Sequence, residues 1–264
     1  MIQFFSFSGF PSMPHQLTAI YRYPVKGFSA QELPKTAIKP NAPLAWDRAF
    51  AIENGPSGFE PTNPAHISKN AFLVLMKQPE LARLRTEFDP ASGIMTISEN
   101  GEIKAKGNLL AHQNQIELEA FLANYCDKPL RGSPKILHSP GHAFTDSRTQ
   151  DLTLINLASI RALEEKIGSQ LDPLRFRANL YFDCEQAWLE HDWVGKSLKI
   201  GNVTFRVRKR TQRCAATNAN LKTGERDQMI PKVLLQHFDH SDMGIHIVAE
   251  QAGSISVGDR IQPE

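Results

Sequence analysis

The feature that most constrains the fold of this 264-residue chain is a long series of short β-like segments. Most are rich in Val, Ile, Thr, Phe or Tyr and are bounded by Gly, Pro, Asn or Asp, a pattern typical of strands that end in tight turns. Asn100-Gly101, between two such segments, predicts a type I′ hairpin because both residues tolerate positive φ. The predicted strands are residues 17–23, 46–53, 93–98, 135–138, 152–155, 176–183, 203–207, 245–250 and 254–261.

Helical periodicity is limited to three segments. Apolar residues recur at intervals of three and four over residues 114–125, and again after Asn156, which can cap a helix that Gly168 ends. A third, short helix is expected over residues 230–237, with Pro231 in its first turn. Many strands and few helices favour a mainly β chain with some α (α+β), built as barrel or sandwich modules decorated by helices, over an alternating βαβ sheet.

Turn residues cluster at 131–134, where a predicted helix ends and a new series of strands begins. We therefore expect an N-terminal β-barrel-like module over residues 17–131 and a C-terminal β-barrel domain over residues 132–264. Met13 directly precedes the first predicted strand. Residues 1–16 are accordingly interpreted as an N-terminal extension or as the product of a misassigned start.

Net charge and hydropathy exclude several classes of function. The chain has 30 Lys and Arg against 28 Asp and Glu, a formal charge of +2, which gives no global attraction to nucleic acid or to an anionic membrane. No stretch approaches the ~20 apolar residues of a membrane span, and the aromatic first residues lack the cationic and aliphatic regions of a signal peptide. We expect a cytoplasmic protein without a membrane span, in which any anion site is local.

The three cysteines, Cys126, Cys184 and Cys214, are widely separated and form no CxxC pair. Their number and spacing exclude a disulfide framework, a four-cysteine zinc site and an iron–sulfur cluster held by this chain alone. Any cysteine chemistry therefore depends on a single sulfur atom.

Cys214 ends the sharpest motif of the chain, RVRKRTQRC, which is followed by AATNANLKTG. Cations beside a cysteine favour its thiolate, the form that ligates metals and attacks electrophiles. The alternative is a small buried hydrophobe with a solvated basic flank, and spacing alone favours that alternative. Nucleic-acid binding is disfavoured because Arg206 and Arg208 alternate with Val207 and no aromatic platform is interleaved.

A second polar cluster lies in LRFRANLYF. If this segment is a strand, side chains alternate along it, and Arg175, Arg177 and Asn179 share one face. Two guanidinium groups and an amide then form a clamp suited to phosphate. An exposed strand face with salt-bridge partners explains the same pattern equally well.

Two further cations belong to predicted strands. Lys26 in YPVKG ends the first strand, and Gly27 after it permits close approach of the backbone. Arg48 in WDRAF comes from the next strand. Each is either an ordinary surface cation or part of a local anion site.

Taken in order, these motifs resemble one family. YRYPVKG followed by WDRAFAI resembles the N-terminal β-barrel module that accompanies MOSC domains. The segments LRFRANLYFD, WVGKSLKIGNVTFRV, QRCAATNANLKTG and SISVGDRI resemble the MOSC domain itself, so the resemblance covers nearly the whole chain from Leu17 onward. Within the family, the chain is similar to the mitochondrial amidoxime-reducing component and its bacterial relatives.

This resemblance implies a molybdenum–molybdopterin cofactor (Moco) with Cys214 as the metal ligand and catalytic residue. It implies reduction of N-hydroxylated or other N-oxygenated small molecules, with electrons from a separate ferredoxin-, flavin- or cytochrome-type protein. The alternative is a non-catalytic carrier of Moco, or of a persulfide on Cys214. The implied cofactor contacts are Lys26, Gly27, Arg48, Arg175, Arg177, Asn179, Arg213 and Thr217.

The chain departs from the family pattern at several places. Gly27 stands where members usually carry a hydroxyl residue, so one polar contact to the cofactor is expected to be missing. Asn220 and Lys222 replace an acidic pair before Thr-Gly, which bears on substrate preference more than on cofactor binding. The ferredoxin-like domain of some bacterial relatives is not expected here.

Overall fold

The structure is a computed structural model that describes residues 15–264, and it has the α+β architecture that the sequence predicts. Residues 1–14 of the expected extension lie outside the described residues, and β1 begins at Gln16. The first half contains β1 (Gln16–Arg22), β2 (Gln31–Glu32), β3 (Lys35–Ile38), β4 (Phe50–Ile52), β5 (Arg85–Asp89), β6 (Ile94–Glu99), β7 (Glu102–Asn108) and α1 (Ile116–Tyr125). The second half contains β8 (Ile136–His138), β9 (Leu152–Asn156), α2 (Leu157–Ile167), β10 (Leu180–Asp183), β11 (Ser197–Ile200), β12 (Val203–Gln212), α3 (Ile230–Phe238), β13 (Asp242–Ala249), β14 (Gly253–Ser256) and β15 (Ile261–Pro263).

The largest sheet curls until its two ends meet. Its strand order is β15-β11-β12-β13-β9-β10-β1, with β2 attached beyond β1. The ends join because Gln16 and Arg260 form a β-bridge, and Ile261 N donates a hydrogen bond to His15 O at 2.7 Å. Closure removes the unpaired strand edges that an open sheet would expose.

The interior of this barrel is apolar because inward-facing side chains alternate with outward-facing ones along each strand. Outward-facing polar residues on β9, β12 and β13 remain available for a site. The main residues of the interior are Leu17, Ile20, Leu152, Leu154, Leu180, Phe182, Leu198, Ile200, Val203, Phe205, Val207, Ile245, Ile247 and Ile261.

The N-terminal module has a core of its own. Its three-stranded sheet, β5-β6-β7, packs against α1, whose Leu118 and Leu122 are fully buried. The hairpin predicted between β6 and β7 is confirmed, with Asn100 at φ 52° and Gly101 at φ 84°. These φ values are those that a type I′ turn requires.

Strand pairing links the module to the barrel. β1 belongs to the barrel sheet, β3 pairs with β14, and β4 pairs with β8. Each pairing joins residues before position 131 to residues after it. Main-chain hydrogen bonds therefore hold the two halves in one arrangement, and the domain boundary near residue 131 stays a prediction.

The helices agree with the sequence signals. Asn156 caps α2 by accepting a hydrogen bond from Ala158 N at 3.0 Å, and Gly168 ends that helix at φ 77°. α3 carries Pro231 in its first turn. Every helix in residues 15–264 is too short or too polar to cross a lipid bilayer.

Two predicted strands are shorter than expected, and both corrections concern site residues. The strand predicted from residue 46 begins only at Phe50, because Trp46 and Arg48 adopt left-handed φ values of 65° and 50°. Lys26 does not end the first strand either, since β1 stops at Arg22.

The prediction of a strand over residues 176–183 is wrong in its first half. Residues Pro173–Phe176 form a 3₁₀-helix, which Asp172 caps by accepting a hydrogen bond from Leu174 N at 2.9 Å. Arg177 follows in a left-handed conformation with φ 53°, and β10 starts only at Leu180. The shared strand face predicted for the arginines at 175 and 177 does not exist.

Candidate functional site

A cleft of about 490 Å³ lies between the outer face of the barrel and the N-terminal module. Its volume falls in the ordinary range of small-molecule and cofactor sites. The fold brings to this cleft all nine residues that the sequence singled out, from segments far apart in the chain. They are Lys26, Gly27, Arg48, Arg175, Arg177, Asn179, Arg213, Cys214 and Thr217.

An irregularity in β12 gives the cleft its polar floor. Val207 points into the barrel, and the register shifts between Val207 and Lys209 where β12 pairs with β13. Lys209 and Thr211 consequently face outward into the cleft, beside His246 of β13. A β-bulge of this kind redirects side chains from one face of a sheet to the other.

Cys214 follows β12 and starts a short 3₁₀-helix, Ala215–Asn218. The Thr217 amide and hydroxyl both donate to the Cys214 carbonyl oxygen, at 3.1 and 2.9 Å, and hold this turn. The thiol is half-buried, and Lys69 Nζ lies 3.5 Å from Sγ. The sulfur atom therefore faces the cleft with an ammonium group beside it.

Arg213, the residue before Cys214, fixes this turn through hydrogen bonds to main-chain carbonyl groups. Its guanidinium donates to Met243 O at 2.9 Å and to Phe176 O at 2.7 Å, which joins the end of β12 to the start of β13 and to the 3₁₀-helix at 173–176. Burial lowers the pKa of Arg213 to about 10, so the group stays charged at neutral pH. Arg213 thus adds positive charge near Cys214 while its donors bind main-chain carbonyls.

A carboxylate bridges the two lysines of the cleft. Asp146 forms an ion pair with Lys26 and lies 3.5 Å from Lys69 Nζ, and Lys26 Nζ also donates to Phe144 O at 2.9 Å. Although burial opposes it, Lys26 and Lys69 lower the pKa of Asp146 to about 2. Lys26 is itself 6% exposed, and burial lowers its pKa.

Lys69 joins this bridge to the cysteine. Burial acts to lower the pKa of Lys69, but Asp146 and Cys214 outweigh it and raise that pKa above its usual value. A protonated Lys69 stabilises negative charge on the sulfur.

Two cleft arginines stack on one tyrosine. The guanidinium carbons of Arg48 and Arg177 each lie 4.4 Å from the ring centre of Tyr23. Arg48 donates to Arg177 O at 2.8 Å, and Arg177 donates to Phe28 O at 2.7 Å. Both arginines have positive φ, which costs about 1–3 kcal/mol per residue and is concentrated at functional sites in proteins.

Arg175 and Asn179 make extensive contacts within the chain. Arg175 forms a two-pronged ion pair with Asp227, at 2.7 and 2.8 Å. Asn179 accepts from Thr153 N at 3.2 Å and donates to Tyr21 O at 3.2 Å. These contacts connect the segments that line the cleft. Direct contact of Arg175 or Asn179 with a ligand stays a prediction.

Gly27 is required by the neighbouring backbone. Its φ is 88°, and a Cβ at this position would lie 2.6 Å from Leu73 O. A hydroxyl-bearing side chain at this position would therefore collide with this chain's own carbonyl group. The departure at Gly27 follows from local packing.

Sequence reasoning missed several residues of the cleft, most of which come from segments outside the motifs that it singled out. Three buried polar atoms that line the cleft lack hydrogen-bond partners within residues 15–264. Such atoms are costly unless a ligand or water pairs with them, so the cleft suits a polar, anionic molecule. The unpartnered atoms that line the cleft are Arg175 Nε, Thr211 Oγ1 and His246 Nδ1. The missed residues include Lys69, Asp146, Asp151, Thr211 and His246, whereas Lys209 is one of the cations of the RVRKRTQRC motif.

Two family models match the chain on either side of this cleft. The MOSC N-terminal beta barrel domain matches residues 15–127, and the MOSC domain matches residues 140–262. This chain belongs to the MOSC-domain family. In the MOSC protein, Lys26, Arg48 and Lys69 come from the N-terminal match, whereas Cys214 and His246 come from the MOSC match.

Curated relatives of this MOSC protein include molybdenum cofactor sulfurases. The one from Homo sapiens is 23% identical over 266 residues, covering 82% of this chain and 28% of the relative. The sulfurase from Drosophila willistoni is 37% identical over 90 residues, which cover 33% of this chain and 11% of the relative. The chain therefore spans less than a third of the length of these sulfurases.

Solved structures include more distant likenesses of the MOSC protein. The match to the YUAD protein from Bacillus subtilis covers 95% of this chain and 96% of the YUAD chain, at 10% identity and a TM-score of 0.46. The match to YiiM from Geobacillus stearothermophilus covers 43% of this chain and 53% of YiiM, at 19% identity and a TM-score of 0.34.

Proposed function

We propose that this MOSC protein binds Moco in the cleft, with Cys214 as a ligand of molybdenum, and reduces N-hydroxylated small molecules. The observation that carries the proposal is the position of the Cys214 sulfur, half-buried at a cation-lined cleft. The similarity to molybdenum cofactor sulfurases supports the choice of cofactor.

The residues of the cleft fit such a group. Moco carries a phosphate and a dithiolene, both anionic, and Lys26, Arg48, Arg177 and Lys209 supply cations from both walls. The unpartnered Thr211 Oγ1 offers a further polar contact. A soft thiolate such as that of Cys214 suits a metal that is already bound through sulfur.

The chain's own groups then bind and orient the ligand. When bound, the cofactor supplies two-electron and oxygen-atom chemistry that no side chain can perform. Lys69 Nζ, 3.5 Å from Sγ, places an ammonium group beside the sulfur that would ligate the metal. Asp146 keeps Lys26 and Lys69 close together until an anionic group competes for them.

Metal content tests cofactor binding directly. We expect about one molybdenum per chain, and release of a pterin on denaturation, when the protein is expressed in a host that makes Moco, as a dedicated cofactor site implies. Molybdenum is measured by mass spectrometry and pterin by fluorescence. Trace molybdenum in this protein, beside full loading of a control molybdoenzyme from the same host, contradicts the proposal.

A second candidate function is transport of Moco, or of a persulfide on Cys214. The similarity to molybdenum cofactor sulfurases favours it. Turnover distinguishes the two candidates, because a carrier binds the cofactor without reducing an N-hydroxylated amidine in the presence of reduced viologen.

A further inference from the structure

His246 is a cleft residue to which the proposed function gives no role. It lies on β13, where its neighbours Ile245 and Ile247 point into the barrel, so the imidazole points outward. The side chain is 15% exposed and lines the cleft beside Lys209, its partner in the register of β12 and β13. An imidazole on the floor of a small-molecule cleft is well placed to exchange a proton with a ligand.

A buried carboxylate lies beside this imidazole. Asp151 Oδ2 lies 3.6 Å from His246 Nδ1, and only 1% of the Asp151 side chain is exposed. Thr149 Oγ1 donates to Asp151 at 3.0 Å, and Arg208 donates at 3.4 Å. At 3.6 Å the carboxylate attracts a protonated imidazole without a hydrogen bond, and His246 Nδ1 has no hydrogen-bond partner within residues 15–264.

The charges around His246 make its protonation depend on what fills the cleft. Burial, followed by Lys209, Arg213 and Arg208, lowers the pKa of His246 to about 4, while Asp146 acts in the opposite direction. Burial raises the pKa of Asp151. An anionic ligand would compensate the cations and move the pKa of His246 back toward its ordinary value of about 6.5.

The reaction proposed above consumes protons. Reduction of an N-hydroxylated compound breaks the N–O bond, takes up two electrons and two protons, and yields the N–H compound and water. The electrons come from an external one-electron carrier. Hydroxide is a poor leaving group, so a proton has to reach the oxygen as the bond breaks.

Resting on the proposed reductase function, we propose that His246, positioned by Asp151, donates this proton to the hydroxyl oxygen of the substrate. The oxygen leaves as water, and the second proton reaches the nitrogen from solvent. His246 then regains its proton from solvent before the next turnover. Asp151 is a positioning residue that acts through the imidazole.

Steady-state kinetics of the holoenzyme with reduced viologen test the step. Because general acid catalysis contributes about 10²–10⁴-fold, His246→Gln is expected to lower kcat by at least about 100-fold with little change in KM. His246→Ala is expected to recover part of its kcat when imidazole is added, which a merely structural role does not produce. The matched control is His237→Gln on the exposed face of α3, which should leave both constants unchanged.

The kinetic outcomes separate two failures. If the wild type turns over and His246→Gln keeps its kcat and pH profile, the proton step is overturned while the reductase function stands. If the molybdenum-loaded wild type shows no turnover, the reductase function fails and the proton step fails with it.

A pH titration without turnover tests whether an anionic ligand raises the pKa of His246. The His246 Cε1–H resonance is followed by NMR against pH in cofactor-free full-length protein, with and without pyrophosphate as an anionic probe. The midpoint is expected to rise by at least one pH unit with pyrophosphate, and Asp151→Asn is expected to change the midpoint in both conditions. A midpoint that stays the same at every pyrophosphate concentration overturns the proposal.

Discussion

Cys214 differs from the other two cysteines in its surroundings. Burial, with help from Glu80 and Asp127, raises the pKa of Cys126 to about 12, and burial also raises the pKa of Cys184. Those thiols stay protonated at neutral pH. Cys214 has a lysine ammonium at its sulfur and is the thiol directed at the cleft.

The first prediction isolates this sulfur. If Cys214 ligates molybdenum, Cys214→Ala should abolish dye-linked reduction of an N-hydroxylated amidine, because loss of a thiolate donor changes the coordination and redox potential of the metal. Part of the cofactor should remain bound, since Lys26, Arg48 and Arg177 do not depend on that bond. Activity and molybdenum content are measured on the same preparation.

The matched controls are Cys126→Ala and Cys184→Ala. Both should keep activity and lose about 1 kcal/mol of stability, a typical value for point mutants. Wild-type turnover by Cys214→Ala, or a loss only in proportion to unfolded protein, would return Cys214 to the role of a packing residue.

At the scale of elements, local signals predicted regular helices and hairpins well. The caps of α2 and the turn between β6 and β7 depend on a few adjacent residues, and the sequence contains all of them. The strand predicted around Arg177 is wrong because polar and apolar residues alternate in the sequence there, and such alternation places side chains on one face only if the backbone is extended. Pro173 and the cap at Asp172 instead start a 3₁₀-helix, and a left-handed residue follows it.

Contacts between elements also bury a carboxyl group that the proposed reaction does not use. Glu190, in the 3₁₀-helix Leu189–Trp193, is fully buried and accepts hydrogen bonds from Ser159 of α2 at 3.0 and 3.1 Å. Burial raises the pKa of Glu190 to about 7, although these hydrogen bonds oppose it. The folded protein therefore retains a proton that the unfolded chain releases near pH 4.5.

The second prediction is that Glu190 makes stability depend on pH. Between about pH 4.5 and 7 the folded state binds more protons than the unfolded state, so the free energy of unfolding falls as pH rises, by about 3 kcal/mol at most. Glu190→Gln should remove this contribution and be more stable than the wild type at pH 8. Urea unfolding from pH 4 to 9 measures it, with the exposed Glu185→Gln as control. Parallel curves for Glu190→Gln and wild type would contradict the burial argument.

At the scale of the whole molecule, the cleft exists because two modules share their strands. β3 and β4 from the first half pair with β14 and β8 from the second. These pairings fix the side of the cleft that carries Lys26 relative to the side that carries Cys214. A site that depends on both walls is sensitive to any change that separates them.

The third prediction concerns the supply of electrons. The sequence has no cluster-type cysteine set and no GxGxxG motif, and we predict that electrons reach a bound metal from a separate donor. Molybdenum-loaded protein should be inactive with NADH alone and active with reduced viologen or an added redox partner. Substrate-dependent oxidation of NADH is measured by absorbance, with the viologen assay as positive control. Robust NADH-driven turnover by the isolated chain would show that it accepts hydride directly.

The sequence by itself determined the α+β class, the caps of α2, the hairpin turn between β6 and β7, and nine of the residues that line the cleft, because these depend on local patterns and on motif order. Only the tertiary structure decided what those residues contact: Arg175 pairs with Asp227, and Gly27 makes room for Leu73 O. It also added Lys69 and His246, whose neighbours in the sequence carry no signal. The physical reason is that hydrogen bonds, burial and charge act through space, and closure of the barrel brings together residues that are far apart in the sequence.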